Sequence, residues 1–176
     1  TGPSGAYNFI NLKPGQYRVV VALPSGYVFT LKLNPDGLMV ADDSNVNTTT
    51  GISDCRMLVS GQYDDTVDAG AYQPAAIGDF IWEDKNTNGV QDAGEPGISG
   101  ASVLLTDCSG TKVTTDINGN PLVNPVMTGP SGAYNFINLK PGQYQVVVTL
   151  PGGYVFTQSF QGSDVALDSN MNPANG

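Results

Sequence analysis

The sequence predicts an all-β fold, built as an antiparallel β-sandwich. Two observations lead to this prediction. Short runs of β-branched and aromatic residues recur at intervals of about 8–15 residues, and Gly, Pro, Asn and Asp separate them. No segment places its apolar residues at the three- and four-residue spacing of a helix. Many short strands joined by turns are typical of two antiparallel sheets packed face to face.

Each predicted strand has a local reason. Residues 16–22 and 143–149 are β-branched runs that begin after Pro-Gly and end before Leu-Pro. In residues 101–106, Ala101, Val103 and Leu105 occupy alternate positions, as on one face of a strand. In chain order, the predicted strands are residues 16–22, 56–59, 66–72, 77–83, 101–106, 111–115, 133–137, 143–149 and 154–160.

The chain also repeats itself. Residues 1–30 recur as residues 128–157 at an offset of 127, and the later Asp-Ser-Asn triplets at 43 and 168 are offset by 125. A period of about 126 residues is the size of one ordinary domain, which predicts a tandem array of domains. The three differences between the long copies are Arg18/Gln145, Ala22/Thr149 and Ser25/Gly152.

The phase of this repeat sets the expected domain boundary. Residues 1–75 are predicted to be the C-terminal part of one sandwich repeat. Residues 76–176 are predicted to be the N-terminal and middle part of the next repeat, without a counterpart of residues 50–73. Because partial sandwiches leave sheet edges open, we expect a slice of a longer chain, or identical repeats or subunits arranged head to tail.

A repeated corner supports the β prediction. Tyr17 follows the sequence Leu-Lys-Pro-Gly-Gln, and Tyr144 follows the same five residues. This pattern resembles the tyrosine corner of Greek-key sandwiches, in which a Tyr hydroxyl binds backbone a few residues upstream. The alternative interpretation is a core tyrosine after a Pro-Gly turn. Either interpretation favours β structure.

Composition excludes several classes of function. The chain has no histidine and a formal net charge of −9, so nucleic acid and anionic membranes are unsuitable partners. No apolar run reaches the roughly 18 residues of a membrane span. Without histidine there is no Ser–His or Cys–His nucleophile pair, which leaves a carboxylate pair as the remaining catalytic alternative. We therefore expect a protein that is not an enzyme.

Residues 84–95 (DKNTNGVQDAGE) match the twelve-residue calcium-loop pattern D-x-[DN]-x-[DN]-G-x5-E at every specified position. Alternate side chains point oxygens to one centre, Gly89 allows the sharp turn, and the last carboxylate closes the site with two oxygens. Hard oxygen donors favour Ca²⁺ over zinc or copper. The alternative is a polar turn that binds nothing. The predicted ligands are Asp84, Asn86, Asn88, the Val90 carbonyl, Asp92 and Glu95.

Three weaker clusters share the D-x-N-x-N spacing. Residues 116–120 (DINGN) favour a hairpin turn over an ion site. The other two clusters are copies of each other and form a candidate second metal site, to which Asp42 or Asp164 could add charge; ordinary Asx turns are the alternative. The candidate residues are Asp43, Asn45 and Asn47 in the first copy, and Asp164, Asp168, Asn170 and Asn172 in the second.

Residues 77–100 (IGDFIWEDKNTNGVQDAGEPGISG) closely resemble the opening of SdrD-type B domains, and residues 132–144 (GAYNFINLKPGQY) resemble their second signature. The Asp168-Ser169-Asn170 triplet and residues 66–70 fit the downstream pattern. The resemblance implies immunoglobulin-like, Cna-B-like Greek-key sandwiches that bind Ca²⁺ and form stalks of bacterial surface proteins. By this resemblance, the expected ligands are Asp84, Asn86, Asn88, Asp92 and Glu95. Residues 121–127 depart from the family as an insertion, and no Lys in residues 77–82 offers an isopeptide bond.

Two kinds of covalent modification are open. In an oxidising setting, Cys108 could pair with a later Cys near position 181 of the array, or Cys55 and Cys108 could bridge neighbouring domains; free buried thiols are the third alternative. The sequence favours the pairing within one domain. Asn47 begins an N-glycosylation sequon, although a glycan would compete with its candidate role as a ligand.

Two functional classes remain. The first is a calcium-stiffened structural repeat of an extracellular stalk, surface adhesin or filament. The second is an adhesin module that recognises a host protein or glycan, with residues 121–129, Tyr27 and Tyr154 as the candidate surface. Near-identity of the copies favours the first class, because a stalk needs repeated spacing whereas a receptor site needs one copy. The expected location is extracellular or at the cell surface.

Overall fold

The computed structural model describes residues 1–32, 43–164, 166–174 and 176. They divide into two compact units, Thr1–Gln73 and Pro74–Gly176, which we call unit 1 and unit 2. All strand pairs are antiparallel, and the all-β prediction is confirmed. Within the described ranges no helix is long and apolar enough to cross a membrane. The strands are β1 (Gly15–Tyr17), β2 (Val28–Phe29), β3 (Arg56–Leu58), β4 (Ala71–Tyr72), β5 (Ala75–Phe80), β6 (Ser102–Asp107), β7 (Val126–Met127), β8 (Ala133–Leu139) and β9 (Tyr144–Thr149).

Unit 2 holds a packed core between two sheets. One sheet has the order β7-β6-β9, and the other pairs β5 with β8. The alternation predicted for residues 101–106 is present, since Ala101, Val103 and Leu105 are fully buried. Each large apolar side chain buried in this way stabilises the fold by about 1.5–3 kcal/mol. The core consists of Ile81, Ile98, Ala101, Val103, Leu105, Phe136, Leu139 and Val148.

Unit 1 contains a copy of the β8 sequence but, among its described residues, not the strands beside which β8 lies in unit 2. Residues 6–12 are identical to β8, yet they form no strand. The side chain of Phe9 is 64% exposed, whereas its counterpart Phe136 is 1% exposed and lies opposite Ile77 of β5. Unit 1 contains two small sheets, β1-β3 and β2-β4, and no β5 or β6 equivalent among its described residues. Tertiary context therefore decides the conformation of this segment.

Several strand predictions were too long or misplaced. Residues 66–72 contain only the two-residue β4. Residues 111–115 make only isolated bridges, through Lys112 and Thr115. Residues 154–160 form no strand. The predicted insertion at residues 121–127 instead supplies β7, which pairs with β6. Asp42 lies outside the described residues.

The insertion is built into the sheet through Asn124. This side chain is buried, and its Oδ1 accepts the Leu105 N–H at 2.9 Å. Its Nδ2 donates to the carbonyls of Leu105 at 2.7 Å and Val113 at 2.8 Å. The Asn124 side chain thus supplies the hydrogen-bond partners that the backbone of a regular neighbouring strand would provide beside β6.

Both tyrosine corners are present. The Tyr17 hydroxyl donates to the Lys13 carbonyl at 2.7 Å, and the Tyr144 hydroxyl donates to the Lys140 carbonyl at 2.6 Å. This is the upstream backbone bond that the tyrosine-corner interpretation predicted, and it fixes the turn that leads into β1 and β9.

We expect Tyr144→Phe to lower the free energy of unfolding of unit 2 by about 1 kcal/mol, because it removes one hydrogen bond and leaves the ring in place. Urea unfolding followed by the fluorescence of Trp82, the single tryptophan, measures this change. Tyr63→Phe alters a ring that is 68% exposed and should change stability by less than about 0.5 kcal/mol. Equal effects of the two substitutions would contradict the corner's role.

Candidate metal site

The candidate calcium loop begins just after β5 and is closed at its base by backbone. Trp82 and Gly97 form an antiparallel bridge, and the Glu83 N–H donates to the Pro96 carbonyl at 2.9 Å. Residues 84–95 therefore project from a short two-stranded stem. The loop is positioned by the same backbone that continues from the sandwich, rather than by flanking helices.

Asp84 is the anchor of the loop. Its Oδ2 accepts the Gly89 N–H at 2.8 Å and the Thr157 hydroxyl at 2.6 Å, and its Oδ1 accepts the Asn88 N–H at 3.2 Å. Burial is the largest single influence on this carboxyl and raises its pKa, but the hydrogen bonds led by Thr157 outweigh it. The net result is a pKa below the ordinary value, so Asp84 is held as an anion at neutral pH.

Asn86 and Asn88 converge on Asp92. Each side-chain amide donates to Oδ2 of Asp92 at 2.8 Å. The oxygen of Asn86 accepts the Asn88 N–H at 3.0 Å, and the oxygen of Asn88 accepts the Val90 N–H at 2.8 Å. The side chains of Asn86 and Asn88 therefore lie on the side of the loop that carries the Asp92 carboxylate.

Glu95 ties the two ends of the loop together. Its Oε1 accepts the Lys85 N–H at 2.9 Å, and its Oε2 accepts the Asp92 N–H at 3.1 Å. The predicted closing residue thus uses both carboxylate oxygens across the loop. The side-chain ligand candidates form two hydrogen-bonded groups, one around Asp84 and one around Asp92 and Glu95. Asn88 is bonded to both groups.

Val90 lies where the loop meets a second segment. It bridges Asp168, with the Gln91 N–H donating to the Leu167 carbonyl at 2.7 Å and the Ser169 N–H donating to the Gly89 carbonyl at 3.1 Å. In this arrangement Val90 and Asp168 form a non-hydrogen-bonded pair, so the backbone groups of Val90 point away from residues 167–169. This direction suits the predicted carbonyl ligand.

The turn depends on left-handed backbone. Gly89 has φ 77° and Thr87 has φ 60°. A Cβ at Gly89 would approach the Gln158 carbonyl oxygen to 2.5 Å, so glycine is required both by conformation and by space. The glycine of the calcium-loop pattern therefore has a structural reason at this position.

The donor set fits calcium in its chemistry. The loop offers two aspartates, two asparagines and one glutamate, all of which carry the oxygen donors that Ca²⁺ takes in sites of six to eight ligands. Among the described residues no three His, Cys, Asp or Glu side chains form a compact metal-type cluster. A site here therefore depends on the amide oxygens of Asn86 and Asn88 as well as on carboxylates.

In each unit, two residues of the second candidate cluster are hydrogen-bonded to each other. In unit 1, Asn45 donates to Oδ1 of Asp43 at 2.6 Å, and the Asp68 N–H donates to the Asn45 oxygen at 2.7 Å. In unit 2, Asn170 donates to Oδ1 of Asp168 at 3.0 Å. Oδ2 of Asp43 is buried without a hydrogen-bond partner among the described residues.

The remaining members of these clusters cap local turns. Asn47 accepts the N–H groups of Thr49 and Thr50, both at 2.9 Å, and Asn172 accepts the Ala174 N–H at 2.9 Å. Asp164 accepts the Ala166 N–H at 3.0 Å. Each of these side chains thus uses an oxygen in an Asx turn.

Residues 116–120 form the turn that the sequence favours. Asp116 Oδ1 accepts the N–H groups of Asn118 at 2.8 Å and Asn120 at 2.9 Å. The Asn120 side chain donates to the other oxygen at 3.1 Å and is the main cause that holds the pKa of Asp116 below 3.8. The turn closes between Thr115 and Pro121.

This lowered pKa gives a pH prediction. A carboxyl whose folded pKa lies below its unfolded pKa stabilises the fold above the unfolded value and loses that contribution as pH falls through the folded value. We expect the stability difference between the parent chain and Asp116→Asn to be constant from neutral pH to about pH 5 and to shrink as the pH falls further into the acid range. Urea unfolding at several pH values measures it. A difference that persists unchanged in acid would contradict this role.

Cys55 and Cys108 are both free and exposed, so the alternative of buried thiols is wrong for this structure. The pairing of Cys108 with a cysteine near position 181 of an array stays a prediction, as does a bridge between neighbouring domains. Asn47 is exposed, as a glycan acceptor must be, and its modification also stays a prediction.

Sequence reasoning missed two contributors to the loop. Thr157 holds Asp84 from a distance of 73 residues, and residues 167–169 pair with the loop backbone. For Thr157, the repeat was the available sequence signal, because Thr157 and its counterpart Thr30 are the last residues of the two nearly identical segments. No local pattern marks the second.

The fold and this loop define a class: all-β repeat domains that carry a calcium-type loop beside a strand. Comparison with known proteins agrees. The family model of the SdrD B-like domain matches residues 1–71 and 75–176, and the chain belongs to this family. The extracellular or cell-surface location expected from the sequence is confirmed by this membership.

Two similar relatives are staphylococcal proteins. The serine-aspartate repeat-containing protein D of Staphylococcus aureus strain Newman is 37% identical over 171 residues, which is 97% of this chain and 12% of that protein. The serine-aspartate repeat-containing protein F of Staphylococcus epidermidis is 34% identical over 171 residues, 97% of this chain and 9% of that protein. The chain thus spans about an eighth or less of their length.

Proposed function

We propose that this chain is a structural repeat of an extracellular stalk, surface adhesin or filament, and that calcium bound by residues 84–95 stiffens it. The observation that carries the proposal is the closure of the loop by Glu95, which joins Lys85 at one end to Asp92 at the other. The backbone of the loop is thus already closed, so binding of a cation requires side chains to turn rather than the loop to fold.

Residues of this chain would hold the ion in defined roles. Asp84, Asp92 and Glu95 supply negative charge, and Asn86, Asn88 and the Val90 carbonyl supply neutral oxygens. When bound, the ion supplies positive charge that removes the repulsion among the three carboxylates. The amides of Asn86 and Asn88 donate to Asp92 through their NH₂ groups, and their oxygens accept the N–H groups of Asn88 and Val90; these bonds would be exchanged for bonds to the ion when the amides turn.

The mechanical effect follows from what the loop touches. Through Thr157 and residues 167–169, the loop contacts a segment whose described residues form no regular strand. An ion that fixes the loop would also fix this segment against unit 2. The proposed result is a repeat that bends and frays less, which suits a stalk whose domains follow one another closely.

We also propose the second metal site at Asp168 and Asn170, with its repeat counterpart at Asp43 and Asn45. Oδ2 of Asp43, which is buried without a hydrogen-bond partner among the described residues, supports it, because such an oxygen is costly to bury unless a cation neutralises it. Asn47, Asn172 and Asp164 each use an oxygen in a local turn and stay candidate members of this site.

The ligand-binding alternative has less support. The insertion that could carry a binding face is pinned into the sheet by Asn124 and β7. Tyr27 and Tyr154 are each 42% exposed, as single aromatic residues on a surface often are. No catalytic role is proposed.

Limited proteolysis with and without calcium tests the proposal. In chelator we expect cleavage within residues 84–95 and 157–169 to accelerate at least about tenfold, while far-ultraviolet circular dichroism keeps its β signal, because the core of unit 2 remains. Magnesium at the same concentration is the control and should protect less, since it requires a smaller octahedral site. Digestion at the same rate in calcium and chelator would overturn the stiffening role.

A further inference from the structure

We propose that Asn118, in the turn of residues 116–120, is a site of spontaneous deamidation, and that the loop of residues 84–95 shields Asn88 from the same reaction. Each of these two asparagines is followed by glycine. Glycine has no Cβ, so its backbone nitrogen reaches the side chain of the preceding residue with the least hindrance. Neither asparagine needs a bound ion for this chemistry, and residues 116–120 lie outside the proposed metal sites.

The reaction joins the backbone to the side chain. The Gly119 nitrogen attacks Cγ of Asn118, a bond forms between these two atoms, and the bond from Cγ to Nδ2 breaks. Ammonia leaves with the proton of the Gly119 N–H, and a cyclic imide remains. Water then adds to either imide carbonyl and yields aspartate or isoaspartate. Water is consumed and ammonia is released without any change of oxidation state, and the turn gains a negative charge beside Asp116.

The turn leaves the reacting groups of Asn118 and Gly119 accessible. Both residues are exposed, and a Cβ added at Gly119 would have no atom beyond its chain neighbours within 4 Å. The Gly119 N–H donates to the backbone carbonyl of Asp116, which is uncharged, at 3.1 Å. The Asn118 side chain is the weakest of the causes that hold the pKa of Asp116 below its usual value, so this side chain is loosely held.

The loop of residues 84–95 holds both reacting groups of Asn88 in place. Gly89 is buried, and its N–H donates to Oδ2 of Asp84 at 2.8 Å. A carboxylate that accepts this bond keeps the proton on the nitrogen and so opposes the attack. The Asn88 side chain is bound at both ends, because its Nδ2 donates to Asp92 and its Oδ1 accepts the Val90 N–H, both at 2.8 Å. Rotation of the amide toward Gly89 would break these two bonds.

This difference in hydrogen bonding sets the expected difference in rate. Loss of one hydrogen bond to a carboxylate lowers the population of the reactive geometry by about tenfold or more. The Asn88 reaction must break such bonds to Asp84 and Asp92, whereas the Asn118 reaction breaks a bond to an uncharged carbonyl. Asn120 lies in the same turn and is followed by proline, which has no N–H and cannot make the attack, so Asn120 is the internal control.

Peptide mapping by mass spectrometry tests the proposal on the full chain, incubated with chelator in mildly alkaline buffer at physiological temperature. Fragment spectra assign the conversion of amide to carboxyl to an individual asparagine. We expect Asn118 to convert at least about tenfold faster than Asn88, and Asn120 to stay unconverted. In urea, Asn88 and Asn118 should convert at similar rates, because the shield around Asn88 exists only in the folded chain.

Two substitutions separate the causes. Gly119→Ala should slow the conversion of Asn118 at least about tenfold and leave that of Asn88 unchanged, because a Cβ hinders the attacking nitrogen. Asp84→Asn should speed the conversion of Asn88 about tenfold and leave that of Asn118 unchanged. Equal rates for Asn88 and Asn118 in the folded parent chain, or an Asn118 that is stable until the chain unfolds, would overturn the proposal. Every measurement is made in chelator, so failure here leaves the proposed calcium site standing.

Discussion

Gly132→Ala is expected to destabilise unit 2 by about 3 kcal/mol or more. Gly132 has φ 76°, and a Cβ there would overlap the carbonyl oxygen of Ile81. That carbonyl is already fixed, because it accepts the Ile98 N–H at 2.8 Å, while the Ile81 N–H donates to the Gly132 carbonyl at 2.9 Å. The backbone at the start of β8 cannot move without breaking these bonds. Urea unfolding followed by Trp82 fluorescence measures the loss.

Gly100→Ala is the matched control in the same unit. Gly100 has φ 84°, but a Cβ added there would have no other atom within 4 Å, so alanine suffers only the conformational cost of about 1–2 kcal/mol. Gly5, which is the repeat counterpart of Gly132, also has no other atom within 4 Å of an added Cβ, and its φ is 77°. Equal losses at Gly132 and Gly100 would show that the close approach of Ile81 does not matter.

Glu95→Gln should abolish most of the stabilisation that calcium provides. At calcium concentrations about 100 times the dissociation constant, binding to the folded state stabilises it by about 2.7 kcal/mol. For a unit of this size that corresponds to a rise in Tm of roughly 10–20 °C. Glutamine keeps the size of the side chain but removes its charge and one of its two oxygen ligands. Thermal unfolding in calcium and in chelator measures the rise for both chains.

Glu83→Gln is the control for this prediction. It makes the same change of charge one residue before the loop, and should keep nearly the full rise in Tm. In chelator all three chains should melt within a few degrees of one another, because the core of unit 2 is untouched. A rise in Tm that Glu95→Gln retains in full would show that calcium acts elsewhere.

Much of unit 2 could be predicted from local pattern. The alternation of Ala101, Val103 and Leu105 identified β6, because a strand that is buried on one face must place apolar residues at every second position. The Pro-Gly turn before Tyr144 identified the corner. The spacing of residues 84–95 predicted a cation loop; the structure brings Asn86 and Asn88 to Asp92, and the binding of an ion there stays a prediction.

What sequence could not predict depends on distant partners. Leu12 and Leu139 have the same neighbours in sequence, yet Leu12 is 44% exposed and Leu139 is 2% exposed. Among the described residues, only unit 2 places β5 and β6 beside this segment. Thr157 reaches Asp84 across 73 residues. Likewise, Val126 joins β6 only because Asn124 anchors the segment before it. Such contacts arise from the packing of the whole unit and leave no periodic trace.

The central claim is that the oxygens of residues 84–95 bind one calcium ion that braces unit 2. Native mass spectrometry of the full chain during calcium titration tests it most directly. The account predicts saturable uptake, with Glu95→Gln binding one ion fewer than the parent chain and Glu83→Gln binding the same number. A parent chain that takes up no calcium at millimolar concentration, or a Glu95→Gln chain with the same number of ions at the same affinity, would contradict it.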